Sequence, residues 1–276
     1  MYIRFTKMHG LGNDFVVIDA VTQAVAMTDK LARRLADRNT GIGCDQILLV
    51  EPPTQPDIDF KYRIFNADGS EVAQCGNGAR CFAKFVRDRR LTGKSLLNVE
   101  TQAGILQLSI NNKQSYTATL GIPDFEPADI PFSAAQRALT YTIEAAGQSL
   151  EISALSLGNP HAVLQVTDIQ QAPIAELGPL LENHTRFPER VNVGFMELLT
   201  RHEINLRVYE RGAGETQACG SGACAAAVAG IAQNLLDSPV KVNLPGGGLT
   251  ITWPGNKQPV AVTGPATTVY QGRIRL

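Results

Sequence analysis

Two cysteines in this chain stand in almost the same words. Cys75 opens Cys-Gly-Asn-Gly-Ala and Cys219 opens Cys-Gly-Ser-Gly-Ala 144 residues later, with Glu71 and Glu215 at matched positions upstream. A cysteine followed by Gly-x-Gly at the start of a helix sits where backbone N–H groups lack internal partners and carry partial positive charge, so an anion such as a carboxylate can bind there. The same field is expected to favour thiolate over thiol, lowering the sulfur's pKa from its free value of ~8.5 and allowing proton exchange near neutral pH. If two such halves face each other, one small acid could hold its carboxylate at both helix ends with a sulfur on each side of its α-carbon. One thiolate would remove the α-proton and the opposing thiol would supply another, which is racemisation or epimerisation without a cofactor. N–H donors aimed at the carboxylate would stabilise the carbanion's charge.

Other residues near these motifs suit an amino-acid ligand. Asn13, Asn66, Asn159 and Asn192 lie in glycine-rich or motif-rich turns, and Gln46 follows GIGCD. A carboxamide donates to a carboxylate and accepts from an ammonium, although Asn also serves turns and caps. His161 and Glu210, in LGNPHAV and VYERGAGE, could tune a thiol or contact an amine, and Arg211 offers a bidentate fork for a second carboxylate. Surface ion pairing is the alternative for both charged residues.

A lone cysteine of this kind is more often a small buried hydrophobe, and duplication is what reverses that reading. Cys44, Cys81 and Cys224 have no such support and are expected to be structural. Five residues separate Cys75 from Cys81 and four separate Cys219 from Cys224, with no CxxC pair, so no metal site is expected. A disulfide between Cys75 and Cys219 would be an inactivating side reaction.

These cysteines need a frame, and the repeat supplies one. Leu-Gly-Asn occurs at Leu11–Asn13 and again at Leu157–Asn159, nearly the cysteine separation and in the same order, which indicates a duplicated domain. The proline-bearing stretch 121–136 reads as a connection, so the boundary between the two expected domains falls near residue 120. Short strand-like runs such as DFKYRIF, LLNVET, GILQLSI and SYTATL suggest curved antiparallel or mixed sheets. Expected helices cover residues 28–38, the stretch from Cys75 to about Arg90, and that from Cys219 to about Leu236. The last has almost no charged face and must be buried nearly all round. The fold class that follows is α+β: two similar pseudo-symmetric domains, each a sheet curled around a central helix. Neither GLGNDF nor GIGCDQ completes a dinucleotide-binding fingerprint.

With 276 residues, 44% apolar, and 25 Lys+Arg against 26 Asp+Glu, the chain has material for a core and no general field for nucleic acid or an anionic membrane. No run approaches the ~20 apolar residues of a membrane span, and the first residues lack a signal peptide's apolar core, so a cytoplasmic protein with reduced thiols is expected.

KMHGLGNDFVVID, FNADGSEVAQCGNGARCFAKF, SLGNPHAV, RVNVGFME and YERGAGETQACGSGACAAA, in that order, resemble the diaminopimelate epimerases over essentially the whole chain. The resemblance implies interconversion of LL- and meso-diaminopimelate, a two-domain fold of 1–120, with the C-terminal strand at 265–276 returning to it, and 121–264, a homodimer, and no pyridoxal phosphate or metal. It implies Cys75 and Cys219 as the acid/base pair, with His161 and Glu210 modulating them. Asn13, Gln46, Asn66, Asn159, Asn192, Glu210 and Arg211 become side-chain ligands, joined by the backbones of Gly76, Asn77, Gly220 and Ser221. Arg211 with Asn66, Asn159 and Asn192 is the candidate set for the substrate's distal, unreacting centre. Two other readings stay open: a proline-type racemase of a smaller amino acid, and a non-catalytic amino-acid-binding or thiol-sensing protein.

Overall fold

The structure is a computed structural model that describes residues 2–112, 114–255 and 257–275. Positions 1, 113, 256 and 276, which the expected domain limits include, lie outside the described residues. The chain divides into two units, Met1–Thr119 with Thr263–Leu276, and Leu120–Val262.

The first unit runs β1 (Tyr2–Gly10), β2 (Asn13–Asp19), α1 (Asp29–Ala36), β3 (Gln46–Glu51), β4 (Phe60–Asn66), β5 (Glu71–Val72), α2 (Gly76–Asp88), β6 (Leu96–Thr101), β7 (Gly104–Asn112) and β8 (Ser115–Thr119). A two-residue hairpin at Leu11 and Gly12, with φ of 56° and 94°, joins β1 to β2 and leaves Asn13 as the first residue of the second strand. Strand β2 then pairs with β3 in parallel, Phe15 opposite Gln46, and β3 pairs antiparallel with β4, Gln46 opposite Asn66. A parallel pair requires a crossover, and α1 is that crossover. Residues of β2 and β3 are buried on both faces because α1 covers one side, through Val16, Ile18, Ile47 and Leu49. Helix α2 packs on β1, β2, β3, β7 and β8, so the sheet curls around it.

The second unit contains β9 (Tyr141–Ala145), β10 (Gln148–Ser156), β11 (Pro160–Val166), α3 (Ile174–Glu182), β12 (Asn192–Thr200), β13 (Glu203–Glu210), β14 (Gly214–Thr216), α4 (Gly220–Ala232), β15 (Val240–Leu244) and β16 (Gly247–Thr252). Its pairings repeat the first unit's: β11 parallel to β12, His161 opposite Asn192, then β12 antiparallel to β13, and β13 parallel to β15 as β4 is to β6. Helix α4 packs on β10, β11, β12, β13, β15 and β16. Its small uncharged residues are buried along nearly its whole length. After β17 (Ala261–Gly264), β18 (Thr267–Arg275) pairs antiparallel with β1 in the first unit. The fold is therefore α+β, with one helix wrapped by a mixed sheet in each unit.

Three helix expectations need correction. Helix α3 has no counterpart in the sequence reading, because Pro179 and a largely apolar face obscure its period. The duplication could have found it: α3 occupies the crossover between β11 and β12 that α1 occupies between β2 and β3. Helix α4 stops at Ala232 rather than near Leu236, since Asn234 takes φ of 63° and the amides of Leu235 and Leu236 turn back to the Gly230 carbonyl. Helix α2 ends at Asp88 by the same device, with Arg90 at φ 56° and the Leu91 amide on the Val86 carbonyl.

Candidate active site

Each cysteine of the repeat is the N-cap of its unit's central helix. Cys75 Sγ accepts the Gly78 amide at 3.4 Å, and Cys219 Sγ accepts the Gly222 amide at 3.3 Å. The backbones of Gly76 and Asn77, and of Gly220 and Ser221, form the first turns beyond them. The glycine three residues after each cysteine serves packing as well as access. A Cβ on Gly78 would stand 2.4 Å from the Tyr62 hydroxyl, and one on Gly222 would stand 3.0 Å from a Val208 methyl.

In the first unit the carboxamides gather at strand ends beside the α2 cap. Gln46 Nε2 donates to Asn66 Oδ1 at 2.9 Å, and Asn66 Nδ2 donates to Ser70 Oγ at 3.0 Å. Asn13 Oδ1 lies 3.9 Å from Cys75 Sγ and accepts Asn77 Nδ2 at 3.3 Å. Arg80, fully buried, donates to Asn77 Oδ1 at 2.9 Å, to the Gly76 carbonyl at 3.2 Å and to the Pro265 carbonyl at 3.3 Å. Beyond Asn13 stands a charged brace. Arg38 bridges the carboxylates of Asp14 and Asp45, and Lys7 pairs with Asp14. Burial alone would raise the Asp14 carboxyl, but bonds from Arg38, Lys7 and the Asp45 amide hold it well below the usual carboxylate range.

In the second unit a relay reaches the other sulfur. His161 Nε2 lies 3.2 Å from Asn159 Oδ1, Asn159 Nδ2 donates to Ser221 Oγ at 3.4 Å, and Ser221 Oγ lies 3.6 Å from Cys219 Sγ. Asn192 donates to the Pro160 carbonyl at 3.0 Å and accepts the Arg211 amide at 3.1 Å, which fixes the LGNP and ERGAG segments to one strand end. Arg211 Nη1 donates to the Glu189 carbonyl at 3.1 Å. Thr216 donates its hydroxyl to Glu210.

The charge states differ from the expectation of lowered thiol pKa values. Burial and then the Glu210 carboxylate push Cys219 well above the ordinary thiol value, outweighing the bonds from Ser221 and the Gly222 amide that act the other way. Cys219 therefore rests as a thiol. His161 is pushed down to about 3 by burial, helped by the Arg211 charge, and is neutral at physiological pH. Burial pushes Cys44 and Cys81 up to about 12, as suits structural thiols.

His161 also makes a stability prediction. Its folded pKa lies below the free value, so the unfolded chain binds the extra proton and stability is lost as pH falls from ~6.5 toward ~3. Phe15 holds the equivalent position in the first unit, two residues after Leu-Gly-Asn. His161→Phe is expected to flatten the decline in urea-unfolding free energy between pH 7 and pH 5; an unchanged slope would remove His161 from its cause.

Sequence reasoning missed Arg80, Asp45, Arg38 and Glu182. Glu182, a buried carboxylate, accepts the Gly212 amide at 2.7 Å and pins the ERGAG loop. The available signal was adjacency, since Arg80 lies inside the GNGAR motif and Asp45 directly precedes Gln46. Among the described residues no group of three or more His, Cys, Asp and Glu is placed to hold a metal ion.

A family model described as diaminopimelate epimerase matches residues 5–125 and 153–269. Proteins named diaminopimelate epimerase from Ectopseudomonas mendocina (strain ymp) and Pseudomonas entomophila (strain L48) are each 59% identical over 276 residues, covering 100% of both chains. Among solved structures, a hydroxyproline epimerase from Agrobacterium vitis superposes with a TM-score of 0.71 at 14% identity, over 99% of this chain and 92% of that one. A phenazine biosynthesis protein of the PhzF family from Bacillus anthracis gives 0.71 at 17% identity and 100% coverage of both. These distant likenesses carry the fold alone.

Proposed function

The chain belongs to the diaminopimelate epimerase family, and from that premise we propose how its residues divide the work of the reaction. It is an isomerase that converts LL-diaminopimelate into meso-diaminopimelate. In our reading the substrate's reacting carboxylate binds to the first-turn amides of the two central helices, at Gly76 and Asn77 and at Gly220 and Ser221. One cysteine, as thiolate, takes the α-proton, so the C–H bond breaks as an S–H bond forms. The pair left on carbon delocalises into the bound carboxylate. The other cysteine, as thiol, gives its proton to the carbon's opposite face, restoring a C–H bond of inverted configuration.

Cys219 starts as the acid in this scheme, its proton held by burial and Glu210. Cys75, half-buried at its helix cap, is then the base, and the roles exchange for the other epimer. Asn13, Gln46 and Asn66 serve the ligand from the first unit. Asn159, Asn192, Glu210 and Arg211 serve it from the second, with the Arg211 guanidinium suited to the distal carboxylate. His161 acts on Cys219 through Asn159 and Ser221. The observation that carries the reading is the repeated constellation itself: an N-cap cysteine on a central helix, with polar side chains at three adjacent strand ends, Asn13, Gln46 and Asn66 in one unit and Asn159, Asn192 and Glu210 in the other.

The deciding experiment places the reduced protein, without added cofactor, in D2O with LL-diaminopimelate. We expect the α-position to acquire deuterium while the meso isomer accumulates. Binding without exchange would favour the non-catalytic reading, and preferential turnover of proline would favour the smaller-substrate racemase. Glu210→Gln tests the acid assignment separately. Losing the carboxylate should lower the Cys219 pKa and raise its rate of alkylation by iodoacetamide at pH 8 by ~5-fold or more. An unchanged rate would mean that Glu210 does not set the proton affinity of this thiol. As the family resemblance implies, we assign the protein to the cytoplasm as a homodimer with no metal or pyridoxal cofactor, and sedimentation tests the assembly. No helix among the described residues is long and apolar enough to cross a membrane.

A further inference from the structure

The Asn13 carboxamide is held from both ends. Its nitrogen donates to Asp45 Oδ2 at 2.9 Å, and the same carboxylate oxygen accepts the Asp14 amide at 3.0 Å. Asp45 is held in turn: its Oδ1 accepts Arg38 Nη2 at 2.8 Å, and its own amide donates to Asp14 Oδ1 at 2.9 Å. On the other side, Arg80 takes the Asn77 oxygen, so only the Asn77 nitrogen can face Asn13, and that nitrogen requires an acceptor. A carboxylate acceptor at one end of the carboxamide relay and a guanidinium donor at the other thus leave one orientation open to Asn13, with its oxygen toward Cys75.

We propose that Asp45, braced by Arg38 and Asp14, is a positioning residue that fixes the Asn13 carboxamide with its oxygen aimed at Cys75 Sγ, so that the S–H formed when this sulfur takes the α-proton finds a built acceptor. The proposal rests on the functional reading above. An acceptor beside the sulfur stabilises the protonated form and makes the thiolate a stronger base, which counters the Gly78 amide that stabilises the thiolate. Tyr62 from β4 and Cys81 from α2 interact electrostatically with Cys75, and both are buried with raised pKa values. The direction of the Asn13 carboxamide dipole then biases the charge state of Cys75.

A double-mutant cycle tests this. Asp45 is exposed, so Asp45→Ala should fold, and a melting curve verifies that. Losing one anchoring hydrogen bond of this kind should lower kcat ~10-fold, with KM changing less than kcat. If Asp45 acts through Asn13, adding Asp45→Ala to Asn13→Ala should change kcat by less than ~2-fold. Asp45→Asn, which keeps a carbonyl oxygen for the Asn13 nitrogen, should recover most of the loss. Additive effects in the cycle, or a KM effect alone, would overturn the proposal. A readout independent of substrate is the alkylation of Cys75 by iodoacetamide, followed by peptide mass spectrometry: Asp45→Ala should speed it ~3-fold or more at pH 8 as the acceptor is released. An unchanged rate overturns the relay even if diaminopimelate turns out not to be the substrate, whereas a faster rate with no α-proton exchange by the wild type would reject only the functional reading.

Discussion

Cys75→Ala and Cys219→Ala are each expected to cut epimerisation by at least ~10³-fold, since in the proposed mechanism each removes one of two obligatory proton transfers rather than a binding contact. The two losses should differ in kind. With Cys219 gone and Cys75 intact, the α-proton of the epimer that presents its C–H to Cys75 can still leave and return on the same side. Cys219→Ala should therefore retain some deuterium incorporation from one epimer without inversion, and Cys75→Ala should do so from the other. Proton NMR in D2O separates incorporation from inversion. Cys81→Ala is the control: this thiol is buried inside α2 and held protonated, so activity should stay within ~3-fold. A loss at Cys81 matching that at Cys75 would mean that the wrong sulfur of the first unit has been assigned.

The second large effect concerns stability. Arg80 carries a buried guanidinium that ties the first turn of α2 to the Pro265 carbonyl ahead of β18. Arg80→Leu would fill a similar volume but strand the Asn77 and Pro265 oxygens without these donors. Leaving a buried acceptor unmade costs about 1–3 kcal/mol, and with two such oxygens stranded the urea midpoint should fall by a large fraction of the total stability. The variant should also lose the Asn77 orientation on which Asn13 relies, lowering kcat beyond the stability loss. A shift under ~1 kcal/mol would show that these oxygens find other partners or water at little cost.

The equivalence of the two halves also locates where they differ. Asn66 of the first unit corresponds to Glu210 of the second, each the last residue of its strand, and Phe15 corresponds to His161. A carboxylate acting on Cys219, where the equivalent strand position of the first unit holds a neutral amide, makes the two halves unequal, which the proposed reaction, with one donor and one acceptor at the outset, requires.

Much of the site was legible before any coordinates. Cysteine-glycine words, repeated with their upstream partners, announce duplication because chance rarely preserves order, spacing and residue type together. Uncharged α4 announces its own burial because a helix without a polar face must be covered all round. What local words could not convey was anything set by distant neighbours. The charge on Cys219 depends on how deeply the sulfur is buried and on Glu210, and a helix-end field argued alone gave the wrong sign. The stops of α2 and α4 depend on Leu91 and on Leu235 and Leu236 turning back onto each helix. The braces on Asn13, Asn77 and the ERGAG loop come from Asp45, Arg80 and Glu182, whose bonds outside their own motifs form only when strand ends and helix caps converge. Residue type specifies what a group can donate, accept or ionise; solvation and partner identity, which decide what it does, are properties of the folded surroundings.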